Sequence, residues 1–259
     1  MLRLLPLFAL CLLSLPAAAQ TEVPLPALPE RVDLPTLLRQ LAANTPDTEQ
    51  LLEHRLSTFT MTSVAEELDG KGRVKHSKTR VTRVRDTGGK RVAELLRAQD
   101  DGRDVTEKVR RELAERGADE DRKKNEKGLS FPVPFTAESQ PLHRFQLVGR
   151  DAKDPSKVRI RFWPAGRKGE DVMIGEALVD PAAGMLHSLK FRPSKYPSSF
   201  IDRLDISMDL RVEPGVGAVV HRIVGRGDGG LLFVRKHRRT TVTFTDVVFK
   251  PAPESKRTP

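Results

Sequence analysis

The stretch that decides the fold is RLDISMDLRV, residues 203–212. Apolar and polar residues alternate along it one by one, and in an extended strand such residues point to opposite sides. One side of this strand is therefore predicted to be buried and the other to face water. The buried side would carry Leu204, Ile206, Met208, Leu210 and Val212.

Further strands are predicted along the second half of the chain. Turn signals separate them and, after residue 140, no helical periodicity intervenes, which favours an antiparallel sheet over a parallel α/β fold. The glycine-rich run at 225–230 is interpreted as a hairpin turn between two of these strands. The strands are predicted at 142–150, 157–163, 172–180, 185–191, 203–212, 218–226, 231–234 and 239–249.

The chain before residue 100 has the same period of two. Strands are predicted at 59–68, 74–85 and 91–99. The sequences between them, DGKG at 69–72 and DTGG at 86–89, are typical of tight turns. This part is therefore predicted to be an antiparallel meander, which brings the expected total to about ten or eleven strands.

Two segments depart from the strand pattern. Residues 104–127 carry a narrow helical stripe and are otherwise mostly charged, which predicts a solvated helical insertion. Before the first strand, leucines at helical spacing predict one helix after an N-cap at Asp33 and a second helix starting near Thr45. The stripe of the insertion is Val105, Val109 and Leu113, and the two N-terminal helices carry Leu34, Leu37, Leu38, Leu41, Leu51, Leu52 and Leu56.

The N-terminus has the pattern of a secretory signal peptide. Residues 1–19 combine a basic start, an apolar run of about a dozen residues and an A-x-A site that predicts cleavage after Ala19. Cys11 is the only cysteine and lies inside the apolar run, so no lipidation is expected, and the mature chain would lack thiol catalysis and disulfides. We expect a periplasmic protein with an extended linker at 20–32, one domain at 33–249 and a disordered tail at 250–259.

No catalytic chemistry is predicted. The sequence has no H-E-x-x-H, G-x-S-x-G or P-loop motif, and no two of its six histidines have ligand spacing on one element. We therefore expect no catalytic residue, no metal and no cofactor. A hydrolase whose site is assembled from dispersed histidines and aspartates is the enzymatic alternative.

The chain is basic, with 45 Lys and Arg against 35 Asp and Glu, and its bases cluster. Such clusters can bind anionic lipid head groups or nucleic acid, or they can keep exposed strand edges from pairing. Export and an aromatic content of 5% argue against nucleic acid. The basic surface candidates are Arg73, Lys75, Lys78, Arg80, Arg83, Arg235, Lys236, Arg238 and Arg239.

Three stretches resemble exported members of the LolA-like superfamily, the periplasmic carriers and sorting proteins of outer-membrane lipoproteins. They are residues 59–74, which contain ELDGKG between two strands, residues 175–184, and residues 238–249, which contain the closing RTTVTFTD pattern. The resemblance implies an α+β, mainly antiparallel fold: a curved, incomplete β-barrel whose concave side is covered by the N-terminal and inserted helices. It also implies an apolar cavity for acyl chains and non-enzymatic transport.

Our first hypothesis is an exported, monomeric binding protein that holds lipid or the acyl chains of lipoproteins. The alternative is an envelope interaction module that docks a protein partner or an anionic membrane through its basic strands. The helix–sheet contact could be a ligand cavity or a sealed core. The candidates for cavity lining are Leu37, Leu38, Leu41, Leu51, Leu52, Leu56, Leu204, Ile206, Met208 and Leu210.

Overall fold

The computed structural model describes residues 32–45, 56–87, 90–116, 133–213, 216–231 and 234–250. These residues belong to one compact unit that begins at Arg31. They form two α-helices, α1 (Leu34–Asn44) and α2 (Thr106–Arg116), and a short 3-10 helix (Gln140–Leu142). The strands are β1 (Leu56–Leu68), β2 (Val74–Thr87), β3 (Lys90–Asp100), β4 (Arg103–Asp104), β5 (His143–Arg150), β6 (Val158–Pro164), β7 (Met173–Asp180), β8 (Met185–Pro193), β9 (Ile201–Glu213), β10 (Gly217–Leu231) and β11 (Val234–Phe249).

All eleven strands lie in one antiparallel sheet. Its order is β4-β3-β2-β1-β11-β10-β9-β8-β7-β6-β5, so the chain's first and last long strands are neighbours in the middle. The sheet is not closed, because β4 and β5 remain as its two edges. The predicted fold class, an incomplete antiparallel barrel with helices, is confirmed.

Helix α1 forms where the leucine spacing predicts it. The Asp33 carboxylate accepts a hydrogen bond from the Thr36 N–H at 3.1 Å and caps the first turn, which Pro35 favours. Leu37 and Leu41 are buried on one face of the helix. The proposed second helix falls mostly on residues 46–55, which lie outside the described residues.

Leu56 does not lie on a helix. It is the first residue of β1, it is buried, and it pairs with Phe249 of β11. The prediction that Leu56 continues a helical stripe is wrong, because the spacing of leucines cannot show that the neighbouring chain already alternates and has a strand partner about 190 residues away.

Helix α2 is the described part of the charged insertion and packs on β3. Its stripe, Val105, Val109 and Leu113, contacts Leu95 and Ala98 of that strand. The predicted helix is confirmed, and only a narrow apolar stripe of it is buried. It covers the sheet at β3, next to the edge strand β4. Residues 117–127 of the predicted insertion lie outside the described residues.

The glycine-rich run is not a turn. β10 continues through residues 225–230, and each of them has a cross-strand partner in β11. The predicted turn is therefore wrong, because glycine content alone does not end a strand that has a paired neighbour on both sides. The strand predicted at 231–234 is also wrong, because Leu231 ends β10 and Val234 begins β11, and the strand predicted at 239–249 starts earlier, at Val234.

One side of the sheet carries the core. Ile206, Met208, Leu189 and Ala177 alternate onto this side, and the residues opposite them across each strand pair share it. We call it the core-facing side and the opposite one the outer side. The core lies on the core-facing side. Its most deeply buried residues include Leu37 and Leu41 of α1, which cover the sheet, together with Phe135, Phe162, Ile160, Val158, Leu186 and Leu189.

Candidate binding site

Part of the core-facing side remains open to solvent. Ala65 of β1, Thr240 of β11 and Gly225 of β10 are direct cross-strand neighbours there, and Gly227 and Leu204 form the next pair. Ala65 and Thr240 are exposed, and the other three are half-buried. We call these five residues the open strip.

The strip follows directly from the core. Its last covered neighbours are Ile206 and Ile223, 4% and 8% exposed, in β9 and β10. The apolar surface thus passes without a break from buried residues to half-buried Leu204. Such a surface can take up an apolar group that continues the core.

Two glycines of the strip are not required by the protein itself. A Cβ added at Gly225 would meet nothing within 4 Å, and at Gly227 it would meet only ordinary contacts at 3.9 Å and 4.0 Å. Neither residue lies at a register shift of β10. Glycine inside a strand costs roughly 0.5–1 kcal/mol, and it often marks a place where another group approaches closely.

Other glycines do have a local reason. At Gly229 a Cβ would lie 2.3 Å from the Phe200 carbonyl oxygen, and at Gly175 it would lie 2.1 Å from that of Lys190. Close backbone approach therefore explains Gly229 and Gly175, whereas only open space lies above Gly225.

The basic candidates do not form one surface. Cross-strand register puts Lys78 and Arg80 of β2 and Lys236 and Arg238 of β11 on the core-facing side, beside the open strip. By the same register Arg83, Arg235 and Arg239 are on the outer side. Lys75 lies where β2 slips by one residue against β1, and Arg73 lies in the β1–β2 turn.

Several of these bases are neutralised locally. Arg73 contacts the Asp69 carboxylate at 2.7 Å and Arg235 contacts Asp202 at 3.1 Å. Lys78 lies 3.8 Å from Asp100. Lys75, Arg80, Arg83, Lys236 and Arg238 have no ion-pair partner among the residues that the structure describes.

Arg239 is held most firmly. Its guanidinium donates two hydrogen bonds to the Glu66 carboxylate, at 2.5 Å and 2.9 Å, across the β1–β11 pair. These bonds lower the pKa of Glu66 below its ordinary value, against the opposing effect of burial. Arg239 therefore joins the two strands and is not available to a ligand.

Most of the cavity-lining candidates lie in packed core. Leu37, Leu41, Leu56, Ile206 and Met208 are buried in one cluster, and Leu38 and Leu210 pack against it. Leu204 alone reaches the open strip. Leu51 and Leu52 lie outside the described residues. The open strip thus lies beyond the packed core, and a lipid-binding role for these residues stays a prediction.

Sequence reasoning missed the residues that make the strip distinctive. The sequence pattern predicts a turn at Gly225 and Gly227, and the small residues Ala65 and Thr240 have no chemical signature. The division of the basic residues was detectable, because residues two apart in a strand share a side and residues three apart do not.

A histidine and two aspartates also lie close together near the end of the sheet that carries the open strip. Ligand atoms of His76, Asp100 and Asp101 all lie within 4.8 Å of one another. No spacing rule predicts this group, because His76 is on β2 and the aspartates end β3 and begin its turn.

Comparison with known proteins gives a weak structural likeness. No protein-family model matches the chain, and no curated protein matches it either. The crystal structure of MucB in complex with MucA(peri) has 12% sequence identity and a TM-score of 0.23, and the match covers 83% of this chain and 94% of that chain. A Pseudomonas aeruginosa MucA/MucB complex has 11% identity and a TM-score of 0.21, with 82% and 93% covered.

TM-scores this low do not establish a shared fold. In the part of the chain that the structure describes, no helix is both long and apolar enough to span a membrane.

Proposed function

We propose that the protein is a non-catalytic, exported binding protein that holds a lipid or acyl chain against the open strip. The observation that carries the proposal is the uncovered strip itself: exposed Ala65 and Thr240 beside a buried apolar core. An acyl chain bound there would remove the strip, including the exposed part of Leu204, from water.

The floor of the strip suits an apolar, flexible ligand. Glycine and alanine leave room for a group to approach the sheet backbone closely. Each methylene that leaves water contributes about 0.8 kcal/mol, so several in contact with the strip give useful affinity. No hydrogen-bond donor or acceptor of the ligand is needed for this part.

The flanks of the strip suit an anionic end group. Arg80, Lys236 and Arg238 have no ion-pair partner among the described residues, and all three lie on the side of the sheet that carries the strip. Glu67, the cross-strand neighbour of Arg238, offsets one of these charges. The surroundings of the strip remain net basic, as a carboxylate or phosphate requires.

The proposal is tested by filling the strip. Gly225→Val and Gly227→Val place side chains where the ligand would lie, and we expect each to reduce binding of a fluorescent fatty-acid probe at least tenfold. Valine favours strands, so stability should hold or rise. Val224→Ile, on the outer side of the same strand, is the matched control and should bind as the unchanged protein does.

Native mass spectrometry of the gently purified protein provides an independent measurement. We expect a co-purifying lipid mass that is lost in Gly225→Val. Absence of both co-purified lipid and probe binding in the unchanged protein would refute the proposal.

A second candidate function is docking on an anionic membrane or acidic partner through the basic strands. It is favoured by the five bases without an ion-pair partner among the described residues, which lie on both sides of the long hairpins. Charge reversal of Lys75, Lys78 and Arg80 should then abolish salt-sensitive flotation with phosphatidylglycerol vesicles. Gly225→Val should leave flotation unchanged, which separates this function from the first.

A further inference from the structure

His76, Asp100 and Asp101 form a compact group at the corner where β2 faces the β3–β4 turn. Asp100 is the last residue of β3 and pairs with Lys78, and Asp101 begins the turn. The His76 ring lies between the two carboxylates: its Nδ1 is 2.6 Å from Asp101 Oδ2, and its Nε2 is 3.1 Å from Asp100 Oδ1.

Asp101 is fixed before any ligand arrives. Its Oδ1 accepts a hydrogen bond from the Ser77 N–H at 2.8 Å, and its own N–H donates to the Ser77 carbonyl, also at 2.8 Å. These two bonds hold Oδ2 as an acceptor 2.6 Å from Nδ1 of His76.

Asp100 is different. Its Oδ1 is buried and accepts no hydrogen bond from the residues that the structure describes, although Nε2 is only 3.1 Å away. When the neutral ring donates Nδ1–H to Asp101, Nε2 carries a lone pair and no proton, so it cannot donate to this oxygen. A buried carboxylate oxygen without a hydrogen-bond partner is costly, and a bound ion would satisfy it.

We propose that this corner is a divalent transition-metal site of the zinc class. Nε2 of His76 and Oδ1 of Asp100 bind the ion, and Asp101 accepts the Nδ1–H and holds the ring in the required tautomer. A carboxylate on the second ring nitrogen is the usual arrangement for a metal-binding histidine. The remaining positions are left to water or to an added carboxylate.

The distance between Nε2 of His76 and Oδ1 of Asp100 suits a shared metal ion. Zinc bonds to nitrogen and oxygen are about 2.0–2.2 Å long. An ion shared by two atoms that are 3.1 Å apart therefore lies beside the line that joins them, and each metal bond makes an angle of about 40° with that line. The ring lone pair must therefore point away from the oxygen. Without a metal ion, the nearby positive charge is that of Lys78, whose Nζ lies 3.8 Å from the other oxygen of Asp100.

The site does not depend on the proposed lipid function. It is tested by Zn²⁺ titration calorimetry on tag-free, chelator-treated protein, with Co²⁺ absorption as a second measurement. We expect one Zn²⁺ per chain, a loss of at least tenfold in affinity in His76→Gln, and a loss of about tenfold in Asp101→Asn.

The chain offers a matched control. His237 contacts Asp228 at 2.9 Å across the β10–β11 pair, on the outer side of the sheet, and this pair does not belong to the group of His76, Asp100 and Asp101. His237→Gln should therefore bind Zn²⁺ as the unchanged protein does.

Three outcomes overturn the inference. Absence of Zn²⁺ binding in the unchanged protein, or equal affinity in His76→Gln, would show that the group is a histidine–carboxylate pair only. Unchanged affinity in Asp101→Asn would remove the role given to Asp101. His76 is 40% exposed, so its replacement should leave the fold intact, which circular dichroism checks.

Discussion

Gly175 and Gly225 should respond in opposite ways to the same substitution. Both lie inside strands on the core-facing side, Gly175 opposite Phe162 and Phe191, and Gly225 opposite Thr240 and Ile206. A Cβ at position 175 would lie 2.1 Å from the Lys190 carbonyl oxygen and 2.8 Å from atoms of both phenylalanines, whereas a Cβ at 225 meets nothing within 4 Å. Gly175→Ala therefore overpacks the core and Gly225→Ala does not.

The magnitudes follow from these distances. Contacts under 3.0 Å are essentially never seen for a Cβ, so the Lys190 backbone must retreat by most of an ångström within a paired strand. Overpacking costs about 1–3 kcal/mol, and a rigid backbone carbonyl puts Gly175→Ala near the upper end. Gly225→Ala removes the entropic penalty of glycine and should stabilise by about 0.5–1 kcal/mol.

Urea unfolding measures both effects. Trp163 is the only tryptophan and is half-buried in β6, so its fluorescence reports the unfolding of the sheet. With a urea dependence of about 3 kcal/mol per molar, Gly175→Ala should lower the midpoint by about 1 M. Gly225→Ala should raise it by a few tenths of a molar. Equal midpoints for the two variants would refute the reasoning.

Two further predictions concern ionisable groups. Buried His143 donates from Nδ1 to the Ser139 carbonyl at 2.8 Å and accepts the Met173 N–H at Nε2 at 3.0 Å, and burial lowers its pKa. Its stabilising effect is complete above about pH 6.5 and is lost as pH falls through the folded-state pKa, so unfolding free energy should decline from pH 7 to pH 5. The decline should shrink in His143→Gln, and an unchanged slope would contradict this. Glu66→Gln should cost about 1 kcal/mol at pH 7. Glu94→Gln, which removes a 3.7 Å contact between Glu94 and Arg85, both 54% exposed, should cost almost nothing; equal losses in thermal unfolding would count against a special role for Glu66.

Local alternation was enough to predict most of the sheet. Residues 203–212 and the segments on each side of them formed strands because each has a buried and a wet side that only an extended chain can separate. The same rule failed at residues 225–230, where glycines erased the alternation. There the strand is maintained by its partners in β9 and β11, which a local pattern does not contain.

The candidate sites were less predictable because they are built across strands. The pairing of β1 with β11 joins segments about 180 residues apart, and it alone brings Ala65 beside Thr240. His76 meets Asp100 and Asp101 through the β2–β3 register. By contrast, the assignment of Lys78 and Arg83 to opposite sides needed only their odd separation within one strand.

Strand length explains why an open strip exists at all. The strands β9, β10, β11, β1 and β2 have 13 to 16 residues, whereas β5 to β8 have 7 to 9. At about 3.4 Å per residue, the long strands extend roughly 20 Å further than the short ones. The overhang is visible in the register, because β8 pairs with β9 only as far as Phe191 and Ile206.

Beyond that row, Leu204 has no β8 partner among the described residues, and helix α1 packs where the short strands are. A closed core would need the long hairpins to end near Ile206, or a cover of their own. The long strands instead continue past Ile206, with small residues on the core-facing side and basic residues beside those small residues. These strand extensions bury little of their own surface, and they contain two glycines, Gly225 and Gly227, that no close contact within the protein requires. A surface of this kind is best explained if another molecule covers it.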